Sequence, residues 1–417
     1  MIFIFDLDGT ITRQETLPLI AEAFDKSAEI EELTRTTING NIPFIESFIH
    51  RLGILRDCDV QSVSDLLADV PYHDALVAFI KANASQCAVA TGNLDVWVDQ
   101  MVAPLGCAVF TSKADVADGK VKKVATILQK EEVVRHYQAQ GEQVVFVGDG
   151  NNDAEAMRIA DISIACGLVH DPAPSVVSVC DFAVYSEAAL LRLLGAMLIE
   201  RPSKHGHSLV LSCAGVGSRL GLNSTKALIN FRDRPLIQWQ IESFGEINDI
   251  RVVVGYQASQ VIRAVRAIRD DVIFAYNHDY FSTGTGRSLY LGARYGAEYI
   301  TAWDGDLLVH KGDMARCLRG DREYLGVSDV VTDDGVYAHL DAREEQVKSF
   351  SRDEASAFEW SGPACFKASH INENAGHVFE AILDQLPMPA LKIRAFDIDT
   401  HNDYQHAQSQ FSEFFGE

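Results

Sequence analysis

The sequence predicts two consecutive α/β domains, the first built on a parallel sheet with its ligand at the carboxyl ends of the strands. Three observations carry this. Short apolar runs that read as strands, MIFIF, CAVA and QVVFV, each end in a polar turn rich in glycine or acid, and helical text lies between them. That rhythm breaks at ERPSKHGH, residues 200–207, where Pro, Gly and polar residues cluster. A fresh strand, SLVLS, begins directly afterwards and the pattern starts again. The expected division is a first domain at 1–200, a linker at 201–207 and a second domain at 208–417. A chain of 417 residues is also too long for one ordinary core and long enough for two.

In order, Met1 to Phe5 is a β-type run followed by an acidic turn. Residues 14 to about 75 read as helical, with apolar spacings of three and four in LPLIAEAF and FIESFIHRLGIL. CAVATGN and QVVFVGDGNND repeat the strand-then-turn pattern, and the helical stretch EEVVRHYQAQ precedes the second of them. Beyond the linker, strands are expected in SLVLSCAG, DIRVVVGY, DVIFAYN and AEYITAWDGDLLV. No fixed-period repeat interrupts this order.

The formal net charge of −23 repels phosphate backbones and anionic lipid surfaces, so nucleic-acid and membrane partners are disfavoured. The eight cysteines are scattered without a CxxC pair, the pattern of reduced thiols rather than of zinc sites or disulfides. The N-terminus runs straight into an acidic motif with no basic leader, and no apolar stretch approaches membrane-spanning length. A cytoplasmic location is expected.

Chemistry enters at FDLDGTIT, where Asp6 and Asp8 stand two residues apart at a strand end. A carboxylate there can attack phosphorus to form an acyl phosphate. Its neighbour can protonate the leaving oxygen and then activate water. Gly9 permits the sharp exit from the strand, and the Thr10 hydroxyl can buttress the turn. VGDGNND supplies Asp149 and Asp153 at another strand end, which with Asp6 can hold one Mg ion. Thr91, beside Gly92, offers a hydroxyl to phosphate, and Lys130 can neutralise the transferring group.

This half resembles the haloacid dehalogenase superfamily, in particular its phosphoserine phosphatase branch, over about the first 190 residues. The resemblance implies a Rossmann-like domain with a helical C1-type cap at about 14–75. It implies Asp6 as nucleophile, Asp8 as general acid/base and a contributor to the Mg site, and Thr91, Gly92 and Lys130 as phosphate contacts. Asp149 falls on a Mg ligand, with Asn152 and Asp153 as its acidic-loop partners. In the cap, Phe44 and Arg51 match residues that close over the substrate, Arg51 as the carboxylate-binding arginine, while Glu15 matches a glutamate near the substrate amino group. DGT in place of DST, Thr91 in place of serine and Asn93 in place of a second glycine are departures.

In the second half, LSCAGVGSRLG places Gly215, Gly217, Ser218 and Arg219 after a strand. Glycines let backbone N–H groups approach a triphosphate, and an arginine can grip its oxygens. It is not a Walker loop, since no Gly-Lys-Ser/Thr follows, and it lacks the spacing of a dinucleotide-binding loop. Lys226 lies where it can reach a phosphate. AWDGDLL presents Asp304 and Asp306, and RAFDIDTHNDY presents Asp397 and Asp399, two distant acidic sites that together can hold Mg.

This set resembles the sugar-phosphate and alcohol-phosphate nucleotidyltransferases, above all the bacterial CTP:phosphocholine cytidylyltransferases, from about 208 to 412. The resemblance implies a GT-A-like α/β domain with a mixed sheet. It places Gly215, Gly217, Ser218, Arg219 and Lys226 on the triphosphate and makes Asp306 and Asp399 the Mg ligands. STGTGRSLYL also resembles inositol-1-phosphate cytidylyltransferases, and Tyr276, Tyr290, Trp303 and Trp360 are candidates for a cage around a quaternary ammonium.

The expected function is therefore double. The second domain transfers CMP from CTP to a small phosphorylated, phosphocholine-like alcohol, and the first hydrolyses a small phosphoserine-like phosphomonoester. The alternative is a sugar-1-phosphate or inositol-1-phosphate nucleotidyltransferase with a regulatory or recycling phosphatase domain. CTP and small phosphorylated metabolites are the expected ligands, and a second copy of the chain, in a homodimer, is a further candidate partner.

Overall fold

The computed structural model describes residues 1–38, 44–198, 206–217, 224–245, 247–330 and 335–415. The side chains of 34–38 and of Phe44 and Ile45 lie outside that description. The chain forms two compact units, Met1–Leu191 and Arg192–Glu417. The helix Glu187–Leu198 spans this division, and most of the expected linker, 201–205, falls outside the described residues.

In the first unit Ile2–Phe5 is buried at all four positions and lies at the middle of the sheet. It pairs in parallel with Cys87–Leu94 on one side and with Val144–Gly148 on the other. Ile162–Cys166 and Phe182–Val184 extend the parallel order beyond the latter. Beyond Cys87–Leu94 comes Ala108–Ala117, which turns back antiparallel onto Lys120–Thr126. Strands buried on both faces read as continuous apolar runs, which is why IFIF and VVFV carry no alternation. Each fully buried Phe or Val adds roughly 1.5–3 kcal/mol of burial free energy. Helices Thr16–Ala23, Ser27–Ile38, Phe44–Leu55 and Val60–Ala68 fill the insertion after the first strand.

In the second unit His207–Ser212 pairs in parallel with Ile250–Val254 and Tyr299–Asp304, and Ile273–Tyr276 follows Ile250–Val254. Phe358–Lys367 then joins Tyr299–Asp304 antiparallel, so the sheet is mixed. Tyr324–Asp329 and Tyr337–Leu340 continue antiparallel from Phe358–Lys367. The helix His401–Phe415 closes the chain, and its Ala407, Phe411 and Phe414 pack with Phe231, Trp239, Leu308 and Ile398. That packing fixes the strand end carrying Asp397 and Asp399, because Ile398 between them is fully buried in the same cluster.

The eight cysteines are free thiols. Among the described residues, no helix is long and apolar enough to cross a membrane.

Candidate active sites

The first site is assembled from four strand ends. Asp6 and Asp8 leave Ile2–Phe5 through Gly9, whose φ of +70° is the left-handed region glycine tolerates. A Cβ there would meet Asp149 Oδ2 at 3.0 Å, so the turn also needs the missing side chain. Thr10 Oγ1 donates to Asp149 Oδ1 at 2.9 Å, tying the first acidic turn to the distal one. Asp153 Oδ2 accepts from the backbone N–H groups of Asp149 and Gly150 at 3.0 and 2.9 Å, which fixes the acidic loop. Lys130, fully buried at the start of its helix, places Nζ 2.6 Å from both Asp6 Oδ1 and Asp153 Oδ1. Burial disfavours its ammonium, yet Asp153 and Asp6 hold its pKa above the ordinary lysine value.

One oxygen each from Asp6, Asp149 and Asp153 lies within 4.8 Å of the others, a spacing that could hold a metal ion. Burial, then the charges of Asp153, Asp149 and Asp8, push the Asp6 carboxyl well up, with Lys130 opposing. Asp8 is raised to about 7, first by burial and then by the charge of Glu15. Thr16 opposes this with a backbone N–H bond to Asp8 Oδ1 at 2.8 Å. The other oxygen of Asp8 accepts from Asn93 Nδ2 at 2.5 Å, and the same amide group reaches Thr16 Oγ1 at 2.9 Å. Asn93, visible in the sequence only as a replaced glycine, is thus a direct partner of Asp8.

Thr91 is buried at the end of Cys87–Leu94, and its Oγ1 accepts from the Asn93 N–H at 3.1 Å. Gly92, Lys130 and Asn152 line one cavity of about 180 Å³ with Phe48. Phe48 was not singled out from sequence, although its position in FIESFIHRL is a cap-helix apolar position facing Gly92 at 3.6 Å from a built Cβ. The Phe44 side chain lies outside the described residues. Arg51 is half-buried, and its Nε is buried without a hydrogen-bond acceptor among the described residues. Burial lowers its pKa while Glu15 opposes. Glu15 Oε1 lies 3.0 Å from His170 Nε2, and Asp149 Oδ2 lies 3.1 Å from the same nitrogen. Hydrogen bonds to Asp149 and then Glu15 raise the imidazole to about 11.

The second site gathers the carboxyl ends of the parallel strands His207–Ser212, Ile273–Tyr276 and Tyr299–Asp304 with the end of Ala395–Asp397, which pairs antiparallel with Leu307–Val309. A cavity of about 380 Å³ gathers Gly215, Gly217, Lys226, Asp306 and Asp399, together with Asp304 and Asp397. Ser218 and Arg219 lie outside the described residues. Gly217 has φ +64°, and a Cβ there would lie 2.8 Å from the Ser224 carbonyl, so the loop requires glycine. Gln257 Oε1 accepts from the Thr225 N–H at 3.1 Å and sets the entry to Lys226. Lys226 Nζ lies 2.6 Å from Asp306 Oδ2 and also binds Asp399 Oδ1. The Asp304–Leu307 turn is held by Gln240 Nε2, which donates to the carbonyls of Asp304 and Leu307 at 3.0 and 2.9 Å. Asp403 Oδ2 accepts from the N–H groups of Asp399 and Thr400 at 3.0 and 2.7 Å, orienting the other acidic strand end.

Burial and then the Asp306 charge raise Asp304 to about 7. Burial, Asp306, Asp304 and Asp399 push Asp397 well up. Burial works against the Lys226 ammonium, but Asp306 and Asp399 hold its pKa up. The rest of the cavity wall mixes polar residues, among them Asn277, Tyr280, Thr283, Thr285, Ser288 and His377, with Cys213, Ala214 and Ala227. Asn277 Nδ2 donates to Thr283 Oγ1 and Ser288 Oγ, each at 3.0 Å. Tyr276, Tyr290, Trp303 and Trp360 do not line this cavity. Trp303 is core instead, packed edge-on against Phe244, and Trp360 meets Phe350.

Fold and sites together define a two-domain α/β enzyme. Residues 1–161 match the family model for haloacid dehalogenase-like hydrolases, and residues 208–356 match that of the MobA-like NTP transferase domain. The chain thus carries a haloacid dehalogenase-like hydrolase domain followed by a MobA-like NTP transferase domain, a hydrolase joined to a nucleotidyltransferase. Its first half is 24% identical over 209 residues to the phosphoserine phosphatase of Idiomarina loihiensis, covering 47% of this chain and 93% of that protein. It is 25% identical over 177 residues to the phosphoserine phosphatase of Methanocaldococcus jannaschii, covering 39% and 84%. Among solved structures, the CTP:phosphocholine cytidylyltransferase of Streptococcus pneumoniae aligns at 21% identity with a TM-score of 0.42, covering 49% of this chain and 99% of that one.

Proposed function

We propose that the chain is bifunctional. Its first domain hydrolyses a small acidic phosphomonoester through an aspartyl-phosphate. Its second transfers CMP from CTP to a small phosphorylated alcohol, with release of pyrophosphate. The observation that carries the reading is the same in both domains: a lysine ammonium set between two carboxylates at strand ends, Lys130 at Asp6 and Asp153, and Lys226 at Asp306 and Asp399.

In the first domain Asp6 attacks phosphorus, and the ester oxygen leaves with the proton of Asp8. A pKa of about 7 suits Asp8 to both halves of the cycle, giving that proton and then taking one from water. The water oxygen attacks the acyl phosphate, phosphate leaves, and Asp6 is regenerated. Lys130 and Thr91 hold the phosphate, and Asn93 and Thr16 hold Asp8 in line. In the second domain the acceptor's phosphate oxygen attacks the α-phosphorus and pyrophosphate departs. The loop at Gly215 and Gly217, Lys226, Arg219 and Ser218 bind the triphosphate.

The all-oxygen donor sets, Asp6, Asp149 and Asp153 in one domain and Asp306 with Asp399 in the other, fit Mg²⁺. When bound, the ion supplies charge neutralisation for incoming phosphate.

CTP and a phosphocholine-like acceptor rest on the sequence resemblance. A second reading, a sugar-1-phosphate or inositol-1-phosphate acceptor, is favoured by the hydroxyl- and amide-lined wall of Asn277, Thr283, Thr285 and Ser288 and by the absence of the four candidate cage aromatics from it. The test is a matrix of CTP, UTP, GTP and ATP against phosphocholine, inositol-1-phosphate and glucose-1-phosphate, read by pyrophosphate release. Turnover with CTP and phosphocholine supports the first reading. Preference for a polyol phosphate supports the second, and no release with any pair contradicts both.

A further inference from the structure

Asp306 and Asp399 can share one ion only if two distant stretches of backbone are held in register. A short ribbon does part of this. Leu307–Val309 pairs antiparallel with Ala395–Asp397, Leu307 opposite Asp397, and the Ile398 N–H donates to the Asp306 carbonyl at 3.1 Å. The next N–H, that of Asp399 itself, has left the ribbon, and a backbone donor at a partly buried strand end needs an acceptor. Asp403 supplies it. Its Oδ2 accepts from the Asp399 N–H at 3.0 Å and from the Thr400 N–H at 2.7 Å.

Asp403 stands in the first turn of His401–Phe415. Thr400 Oγ1 accepts from the Asp403 N–H at 3.2 Å, so the two residues cap each other reciprocally at the helix start. A cap alone needs the bond to Thr400 and ends there. The bond to Asp399 goes one residue further, onto the residue whose carboxylate binds Lys226. The helix carrying Asp403 is itself fixed, by Ala407, Phe411 and Phe414 in the cluster that also buries Ile398, and by the Tyr404 hydroxyl on the Asn230 carbonyl at 2.9 Å. The aromatic core of the closing helix is thus tied through one side chain to the backbone of Asp399.

We propose that Asp403 is a positioning residue of the second site: its side chain fixes the backbone of Asp399 against that of Asp306, and so sets the separation of the two carboxylates that hold the divalent cation. This rests on the nucleotidyltransferase reading above. Asp403 acts on the ion only through Asp399, by accepting a hydrogen bond, so an amide oxygen at the same place serves equally. With alanine there, the Asp399 N–H loses its acceptor and the carboxylate beyond it is no longer held at one distance from Asp306. Outer partners of this kind typically contribute about 10–100-fold in metal affinity or activity.

The test uses the full chain carrying Asp6→Asn and Asp149→Ala, which remove two of the first domain's cation ligands, so that Mn²⁺ followed by electron paramagnetic resonance reports the second site. Against that background Asp403→Ala should weaken Mn²⁺ binding by about tenfold. Thr400→Ala, which removes the reciprocal cap and leaves the Asp403 bond to Asp399 in place, should stay within about twofold of the parent, and so should Asp403→Asn. A dissociation constant is read on folded molecules alone, so partial misfolding lowers the number of sites and not the affinity. In the chain with its first site intact, Asp403→Ala should lower kcat for pyrophosphate release at saturating Mg²⁺ more than it raises KM for CTP. Equal Mn²⁺ affinity in Asp403→Ala and Thr400→Ala makes Asp403 a helix cap only, and overturns the inference while the nucleotidyltransferase reading stands. Weakening by Asp403→Asn as large as by Asp403→Ala also overturns it, because charge rather than hydrogen-bond acceptance then acts. No Mn²⁺ bound by the parent, together with no pyrophosphate release by the wild type, overturns both.

Discussion

Lys226→Met removes one charge from the second site while keeping the length of the side chain. The ammonium lies 2.6 Å from Asp306 and also binds Asp399, and the three side chains are only 15, 18 and 25% exposed. At an effective dielectric of about 20, one such pair at this separation is worth ~6 kcal/mol of Coulomb attraction. The desolvation of the ammonium opposes it, so the net loss on breaking the cluster is about 3 kcal/mol, the lower end for a buried ion pair because some solvent remains. Methionine also leaves Asp304, Asp306, Asp397 and Asp399 lining one cavity without that cation. The assay is urea unfolding at pH 8, once in chelator and once in saturating Mg²⁺. Trp239, Trp303 and Trp360 lie in the second unit and only Trp97 in the first, so tryptophan fluorescence reports mainly the relevant domain. In chelator the variant should lose about 3 kcal/mol, and in Mg²⁺ the deficit should fall below about 1 kcal/mol as the divalent ion restores the charge. An equal deficit under both conditions refutes the idea that these carboxylates share a cation site.

Asp249→Ala should destabilise the second domain by about 3–5 kcal/mol, because it strands Arg251, 1% exposed and bonded to Asp249 Oδ2 at 2.9 Å, as an uncompensated buried charge. Against burial, Arg251 holds the Asp249 pKa below its ordinary value, so its contribution is present above about pH 4 and is lost as pH falls through the folded-state value. Acid unfolding of Asp249→Asn should therefore show a weaker pH slope than the wild type. Because Asp8 must carry a proton to release the alcohol, kcat/KM for an alkyl phosphate should fall as pH rises through about 7, while an aryl phosphate, whose leaving group needs no proton, should lack that limb. Arg51→Ala should raise KM for an acidic phosphomonoester about tenfold and leave 4-nitrophenyl phosphate nearly unchanged, and equal effects on both would remove Arg51 from substrate recognition.

The acidic turns at Asp6 and Asp149 were legible because each follows an uninterrupted apolar strand, and in a parallel sheet such strand ends converge on one edge. Asp306 was legible for the same reason, whereas Lys226, in a short helical turn, and Asp399, after a three-residue antiparallel strand, were legible only through the likeness of their motifs to those of nucleotidyltransferases. Asn93 and His170 were not, since their partners lie 85 and 155 residues away and neither residue type marks a site by itself. Asp304 and Asp397 were seen only as halves of acidic pairs, whereas folding gathers all four carboxylates into one cavity. The candidate cage aromatics misled because large rings serve the core as readily as a ligand, as Trp303 does against Phe244. The hairpin Ala108–Ala117 with Lys120–Thr126 went unforeseen, because the two valines of KVKKVAT, Val121 and Val124, stand three apart and break the two-residue alternation of a strand. The closing helix His401–Phe415 did leave a signal in Ala407, Phe411 and Phe414, spaced by four and three.

The central claim is that two chemistries run on two separate acidic sites of one chain. Its most direct measurement is a pair of single substitutions, Asp6→Asn and Asp306→Ala, each assayed for phosphate release from a phosphomonoester and for pyrophosphate release from CTP with a phosphorylated alcohol. The account predicts a double dissociation. Asp6→Asn should lose phosphate release by at least about a thousandfold and keep pyrophosphate release, and Asp306→Ala should do the reverse. Loss of both activities in either variant, with the fold intact, or retention of both in either, would contradict it.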